Sequence, residues 1–196
     1  KQIDGVCLNT LPVALFAEVV VLAEGNTDCA VIEGVAERDN GTPLSVSGIS
    51  VVSAGSKSSL LLPSAILDLL EIKKYVIFDG DKNCESLARA NGQTETQIAN
   101  VKANNSKQNK EITRLLTGQE GEWPATNANE YYACFEDSLE RTLDEWSGWT
   151  SYKDTLLASG SGFEGKNAAT YKRTSEECEE NPPEILTSVI EKIITL

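Results

Sequence analysis

Histidine is absent from the 196 residues, and so is methionine. Without histidine the chain has no Ser-His or Cys-His nucleophile, no His-ligated zinc and no imidazole acid or base. Any catalysis therefore falls to carboxylates, lysines, hydroxyls and thiols. The five cysteines (Cys7, Cys29, Cys84, Cys134 and Cys178) are odd in number, widely spaced and form no C-x-x-C pair. That pattern speaks against a disulfide framework or a zinc ribbon and fits a reducing cytoplasm. Long apolar runs are missing too. The most apolar stretch, residues 11–23, is broken by Pro12 and Glu18 and is too short to span a bilayer, so no membrane association is expected.

Basic residues are scarce, 17 Lys and Arg against 30 Asp and Glu, for a net charge of −13. Residues 1–100 carry seven basic and 13 acidic side chains, and residues 101–196 carry ten and 17, so the average hides no basic tail. Such a surface repels phosphate backbones, and nucleic-acid binding requires metal ions or a basic partner to offset the field. The missing initiator methionine has two readings. Either the chain is cut from a longer protein, or its methionines are missing from the sequence as written, which shifts the spacings below slightly.

What is present is ordinary for one globular core: 40% hydrophobic and 24% charged residues. Val19–Ala23 is a β-branched apolar run ended by Glu24-Gly25 and reads as a buried parallel strand. A helix follows, with Asn26 or Thr27 as cap, Asp28 in its first turn and Cys29, Ile32, Val35 and Ala36 at helical spacing, ending at Asp39-Asn40-Gly41. Ile49–Ser53 is a second strand, Ala54-Gly-Ser-Lys57 a tight loop, and residues 59–70 a second helix that tolerates Pro63 only in its first turn. Residues 75–78 are a third strand running into Asp79-Gly80-Asp81. This alternation predicts right-handed βαβ units over 18–82, with the residues after the strands converging on one crevice.

Beyond Cys84 the pattern weakens. Residues 85–116 have helical propensity but are polar almost all round, and the Asn/Lys/Gln-rich middle, 99–110, reads equally as a solvated helix or a mobile loop. Residues 130–146 put Tyr131, Phe135, Leu139, Leu143 and Trp146 on one stripe and predict an amphipathic helix. Residues 159–162 form a flexible turn, and Glu184–Ile194 a terminal helix packed through Ile185, Leu186, Val189, Ile190 and Ile193.

Carboxylates concentrate at the predicted strand ends: Glu24 in A-E-G-N-T-D after the first strand, with Asp28 four residues on, and Asp79-Gly-Asp81 after the third. Acids too close to stay ionised together without a cation make a hard oxygen site for Mg²⁺ or Mn²⁺, and the chemistry implied is phosphoryl transfer. Each piece has a plainer reading. A lone D-G-D is a turn, and Glu24 with Asp28 is a capping pair.

The three segments V-V-V-L-A-E-G-N-T-D, G-I-S-V-V-S-A-G-S-K-S and Y-V-I-F-D-G-D, in this order and with 55 residues from Glu24 to Asp79, resemble a Toprim domain of the OLD (overcoming lysogenization defect) family of ATP-dependent nucleases. The resemblance covers residues 18–83. It implies an α/β fold, a Toprim-like parallel sheet flanked by helices with a mainly helical C-terminal extension, divided as a Toprim core over 1–84 and a helical insert with the rest of the nuclease region over 85–196. It also implies a cytoplasmic, Mg²⁺- or Mn²⁺-dependent DNA endonuclease with a two-metal site, joined in the full-length chain to an ABC-type ATPase domain that brings about homo-oligomers, with phage defence as its setting. No Walker A motif is present, because Gly55-Ser-Lys57-Ser lacks the upstream glycine at the needed spacing.

Carried over by position, Glu24 matches a metal ligand or general base, Asp28 an acid serving a second metal, and Asp79 and Asp81 the metal-binding D-x-D. The position of a third acid is taken by Asn83, which favours the OLD-like version over the primase or topoisomerase type. Glu136, or equally by register Asp137, resembles an additional acid supplied after the D-x-D. Lys166, in G-F-E-G-K-N, resembles a late lysine that stabilises charge on the phosphate, and Lys57 and Ser53 line the same crevice. Loss of the acids would mark a non-catalytic, recombination-mediator-like Toprim, and the acids are intact.

Overall fold

A computed structural model describes residues 11–196. Cys7 lies outside the described residues, and the other four cysteines are unpaired thiols. After a short helix α1 (Leu11–Ala14), the chain runs through strand β1 (Val19–Ala23), helix α2 (Asn26–Asn40), strand β2 (Ile49–Ser53), helix α3 (Leu61–Leu69) and strand β3 (Lys73–Asp79). Helices α4 (Cys84–Ala90) and α5 (Glu95–Thr117) follow, then strands β4 (Asn127–Ala128) and β5 (Tyr132–Phe135). Four helices complete it: α6 (Leu139–Asp144), α7 (Trp149–Ala158), α8 (Ala168–Glu177) and α9 (Glu184–Ile194).

The strands form one sheet in the order β2-β1-β3-β5-β4. The first four are parallel and β4 runs antiparallel at the edge. Strand β1 is buried along its whole length, so its side chains alternate between two apolar layers. Val19, Val21 and Ala23 join Tyr75, Ile77, Ala133 and Phe135 on the face covered by α2, α6 and α9. Val20 and Leu22 join Val76, Phe78, Tyr132 and Cys134 on the opposite face, against Leu60, Leu67 and Ile112 from the α3 and α5 side. Each fully buried aliphatic side chain contributes roughly 1.5–3 kcal/mol relative to exposure, so both faces hold the sheet between helical layers. The expected α/β architecture with a mainly helical second half is what the structure shows.

Two expectations for the second half are corrected or decided. Residues 130–146 are not one helix: Tyr132–Phe135 is strand β5, fully buried beside β3, and the helix begins only at Leu139. A short apolar run carries no distinguishing period, and the sheet's open edge at β3 offered hydrogen bonds that a helix could not use. Ser138 then caps α6 by accepting from the Arg141 N–H, which separates the strand from the helix. The polar segment 99–110 is helical, inside the 23-residue α5, and begins with a capping box between Thr94 and Gln97. Three of the five residues on its buried stripe, Ile98, Ser106, Asn109, Ile112 and Thr113, are polar, so a search for apolar periodicity could not find it. Among the described residues no helix is long and apolar enough to cross a membrane.

Candidate active site

The parallel strands β1, β2 and β3 all end at one edge of the sheet, and each delivers polar groups there. Glu24 follows the last residue of β1, and its Oε1 accepts a hydrogen bond from the Asp79 backbone N–H at 2.8 Å. Ser53, at the end of β2, donates through Oγ to the Glu24 carbonyl at 3.2 Å and accepts from the Gly55 N–H at 3.1 Å. Asp28, in the first turn of α2, accepts from the Gly25 N–H through Oδ2 at 2.8 Å. Asp79 reaches across to β5's exit, its Oδ1 accepting from the Leu139 N–H at 2.9 Å.

The D-G-D loop is pinned onto the backbone that leaves β5. Gly80 N–H donates to the Phe135 carbonyl at 2.6 Å, Asp81 N–H to Asp137 at 2.9 Å and Lys82 N–H to Glu136 at 3.1 Å. A Cβ at residue 80 would stand 2.5 Å from the Glu136 carbonyl oxygen, so only glycine permits this approach. Asp81 is held at φ +53°, a left-handed conformation rare for a non-glycine residue.

Glu24, Asp28 and Asp79 share one electrostatic environment. Burial, helped by Asp81 and Asp28 and opposed by the Asp79 hydrogen bond and Lys57, pushes the Glu24 carboxyl up to about 7. Burial and Glu140 push Asp28 up to about 6 against the Gly25 N–H bond and Lys166. Asp79 is raised well above the carboxylate range by burial, then by Glu24 and Asp28, with Glu140 adding to it. Glu140 itself goes the other way: burial is the largest influence and raises it, but the hydrogen bond and charge of Lys166, its own backbone N–H and the Ser138 hydroxyl together outweigh that and leave it lowered. Lys166 is paired with Glu140.

The residues singled out from the sequence thus divide into groups. Glu24, Asp28 and Asp79 are brought together. Asp81 stands beside them, its Oδ2 2.5 Å from the Lys57 Nζ, and Lys57 is only 5% exposed. Lys166 arrives through Glu140. Glu136 is paired with Lys82 on the other side of the loop, and Asp137 with Arg141 at 3.3 Å. Both line a separate cavity of about 240 Å³ with Arg141 and Glu145. Glu140, three residues beyond Asp137, is the later acid whose charge reaches Asp79 and Asp28. A single helix over residues 130–146 gives Glu140 no distinction among the acids of its polar face. The signal that could have found it is Ser138, whose capping role places Glu140 in the first turn of a helix at the carboxyl end of a strand.

Among the described residues no three of His, Cys, Asp and Glu converge as a ready-made ion cage. Glu24, Asp28 and Asp79 each engage a backbone N–H through one oxygen, and a carboxylate retains acceptor capacity on the second. All-oxygen, anionic donors fit a hard divalent cation better than a thiophilic metal.

Residues 15–81 match the family model described as the Overcoming lysogenization defect protein-like TOPRIM domain. The fold is similar to the C-terminal region of the Xanthomonas campestris pv. campestris OLD protein, with 14% identity, a TM-score of 0.58, and 92% of this chain and 96% of that one covered. It is likewise similar to the C-terminal region of the Burkholderia pseudomallei OLD protein, with 17% identity, a TM-score of 0.59, and 91% and 97% covered. A search of curated protein sequences found no match.

Proposed function

With residues 15–81 forming a Toprim domain of the OLD-like type, a nucleic-acid-processing module, we propose that this chain is a divalent-metal-dependent endonuclease that hydrolyses phosphodiester bonds in DNA. The observation that carries the reading is the mutual crowding of Glu24, Asp28 and Asp79. All three carboxyls are displaced upward by burial first; neighbouring acids then add to it, Asp81 and Asp28 on Glu24, Glu140 on Asp28, and Glu24, Asp28 and Glu140 on Asp79, an arrangement that costs stability unless a cation occupies it.

Glu24, Asp28, Asp79 and Asp81 are the residues that would hold Mg²⁺ or Mn²⁺, in a two-ion site, with Glu140 favoured over Glu136 as the further acid. Bound there, the ions supply charge neutralisation on the scissile phosphate and acidify the attacking water. Glu24 has one oxygen committed to the Asp79 N–H, which leaves Oε2 either to hold an ion or to accept the proton of that water; as the new P–O bond forms the P–O bond to the leaving oxygen breaks, and the leaving oxygen takes a proton from solvent. Lys166, exposed and tethered by Glu140, turns to the phosphate and stabilises the charge that develops on it.

The acidity of the chain supports the same reading from another direction. With a net charge of −13, DNA approaches only where cations offset the field. The full-length context in this proposal is an ABC-type ATPase domain that brings protomers together and supplies basic surface, with defence against phage as the setting. The test is cleavage of supercoiled plasmid by the purified chain. Nicked or linear product in Mn²⁺ or Mg²⁺, lost in EDTA and restored by excess metal, is the expected result, and metal-independent cutting overturns it.

A further inference from the structure

Helix α5 is polar on nearly every face, yet Asn109 near its middle is completely buried. Burying an amide costs stability unless its donors and acceptor are used. Here three of its hydrogen bonds are made, each to a different segment. Nδ2 donates to the Gly80 carbonyl at 2.8 Å and to the Glu122 carbonyl at 3.0 Å, while Oδ1 accepts from the Lys57 Nζ at 3.2 Å. The partners fix the orientation of the amide, because two carbonyls require donors and an ammonium requires an acceptor.

Each of the two site contacts falls on a group that the site needs held. Gly80 is the middle residue of the D-G-D loop, whose other side is pinned to the β5 exit by three backbone hydrogen bonds. Asn109 supplies the opposing hold, so the loop that places Asp81 at φ +53° is gripped on both sides. Lys57 sits in a one-turn 3₁₀ segment after β2, Lys57–Ser59, whose own bonds are short-range. Its ammonium is buried between Asp81 Oδ2 and Asn109 Oδ1. A buried ammonium demands both a counter-charge and hydrogen-bond geometry, and Asn109 is the neutral half of that pair. Helix α5 is in turn anchored by Ile98 and Ile112, each 2% exposed, so the amide reaches the loop from a fixed base.

We propose that Asn109 is a positioning residue that holds the Lys57 ammonium and the Gly80 carbonyl and thereby sets where Asp81 stands. The inference rests on the nuclease reading for its consequence in catalysis, but the hold itself is a property of the folded chain. No other residue type of this size meets the three partners. Aspartate retains the acceptor for Lys57 and turns an oxygen toward the two carbonyls. Leucine fills the volume and serves none of them.

Acetylation of the full chain with an amine-reactive ester, followed residue by residue by mass spectrometry, reads the hold without any need for activity. In the parent, Lys57 is protected while exposed Lys107 and Lys166 react. In Asn109→Leu and Asn109→Ser, Lys57 acetylates faster by roughly 10-fold or more, on the scale of opening a buried contact worth one or two hydrogen bonds. Lys74, whose side chain is 12% exposed, reports whether a variant still folds. If Asn109→Leu opens Lys74 as well, Asn109→Ser decides. A folded variant in which Lys57 stays protected overturns the proposal.

Single-turnover cleavage in saturating Mn²⁺ supplies the second readout. Asn109→Leu slows it by roughly 10- to 100-fold, and the same change costs less in a Lys57→Met background than in the parent, because the share of its effect that runs through the ammonium is already lost while the hold on the Gly80 carbonyl remains. Fully additive losses would mean that Asn109 only supports the fold and would overturn the positioning role. A parent that does not cleave at all would sink the nuclease reading and leave the acetylation result to judge the hold on Lys57.

Discussion

Glu24 Oε1 accepts a hydrogen bond from the backbone N–H of Asp79 at 2.8 Å, joining the ends of β1 and β3 across 55 residues of sequence. The bond uses a main-chain donor that the sheet leaves over where β1 ends and β3 continues. It places the Glu24 carboxylate beside the Asp79 side chain, which is why Glu24 is the first charge, after burial, that raises Asp79. One contact thus serves the sheet and creates the repulsion that a cation relieves.

Replacing the two acids by their amides separates structural from catalytic roles. Asp79→Asn and Glu24→Gln keep an oxygen for the backbone N–H groups and lose the charge. Each is expected to slow metal-dependent plasmid cleavage by at least roughly 100-fold, while the melting temperature without metal is unchanged or raised, since a charge has left a repelling cluster. A sharp drop in that melting temperature for both variants would identify the acids as caps.

Glu140 and Glu136 make a paired comparison. Glu140 is coupled to Asp79, Asp28 and Lys166, whereas Glu136 faces Lys82 across the exposed side of the loop. Glu140→Gln is therefore expected to weaken Mn²⁺ binding, measured by calorimetry on the purified chain, and to slow cleavage. Glu136→Gln is expected to stay within about threefold of the parent, the range of a surface substitution. The reverse ranking would restore Glu136 as the further acid.

For Lys166→Ala the separation is between binding and rate. A lysine acting on the transition state gives a variant that binds metal and DNA as the parent does but cleaves slower by roughly two to three orders of magnitude at saturation. A lysine that only contacts the DNA backbone gives weaker binding with a shallower salt slope and a preserved rate at saturation. Lys57→Ala, by contrast, removes a buried charge from Asp81 and is expected to lower the melting temperature as well.

Stability without metal carries a pH signature. Glu24 rises from 4.5 to about 7 and Asp28 from 3.8 to about 6 on folding, both through burial first. The folded state therefore binds these protons more tightly than the unfolded chain. Their favourable contribution is complete below about pH 4 and is lost as pH climbs through 6 and 7, at up to roughly 1.4 kcal/mol per pH unit for each group. Urea unfolding between pH 4 and 8 in EDTA, compared with Glu24→Gln, isolates the Glu24 share from carboxyls such as Glu140 that shift the other way. Saturating Mg²⁺ is expected to flatten the decline, and a parent curve that parallels the variant over this range rules out a buried, coupled Glu24.

The βαβ core and its acids were legible in the sequence because they depend on local pattern. Val19–Ala23, Ile49–Ser53 and the run into Asp79 are apolar strands whose ends carry the polar residues, and parallel strands put such ends at one edge whatever the rest of the chain does. That rule places Glu24 and Asp79 at the edge, and Asp28 comes with the first turn of the helix that follows; their proposed role as metal ligands came from the family resemblance, since the residues alone read equally as a turn and a capping pair. What tertiary structure decided is everything whose identity depends on a partner distant in sequence. Tyr132–Phe135 became a strand because β3 offered an unpaired edge, and that moved the start of the next helix to Leu139 and put Glu140 in its first turn, where its charge reaches Asp79. Asn109 gave no signal at all. It is one of several asparagines in a polar helix, and only the arrival of Gly80, Lys57 and Glu122 around it makes its amide necessary, since hydrogen-bond demand inside a folded chain is set by what the other segments leave unsatisfied.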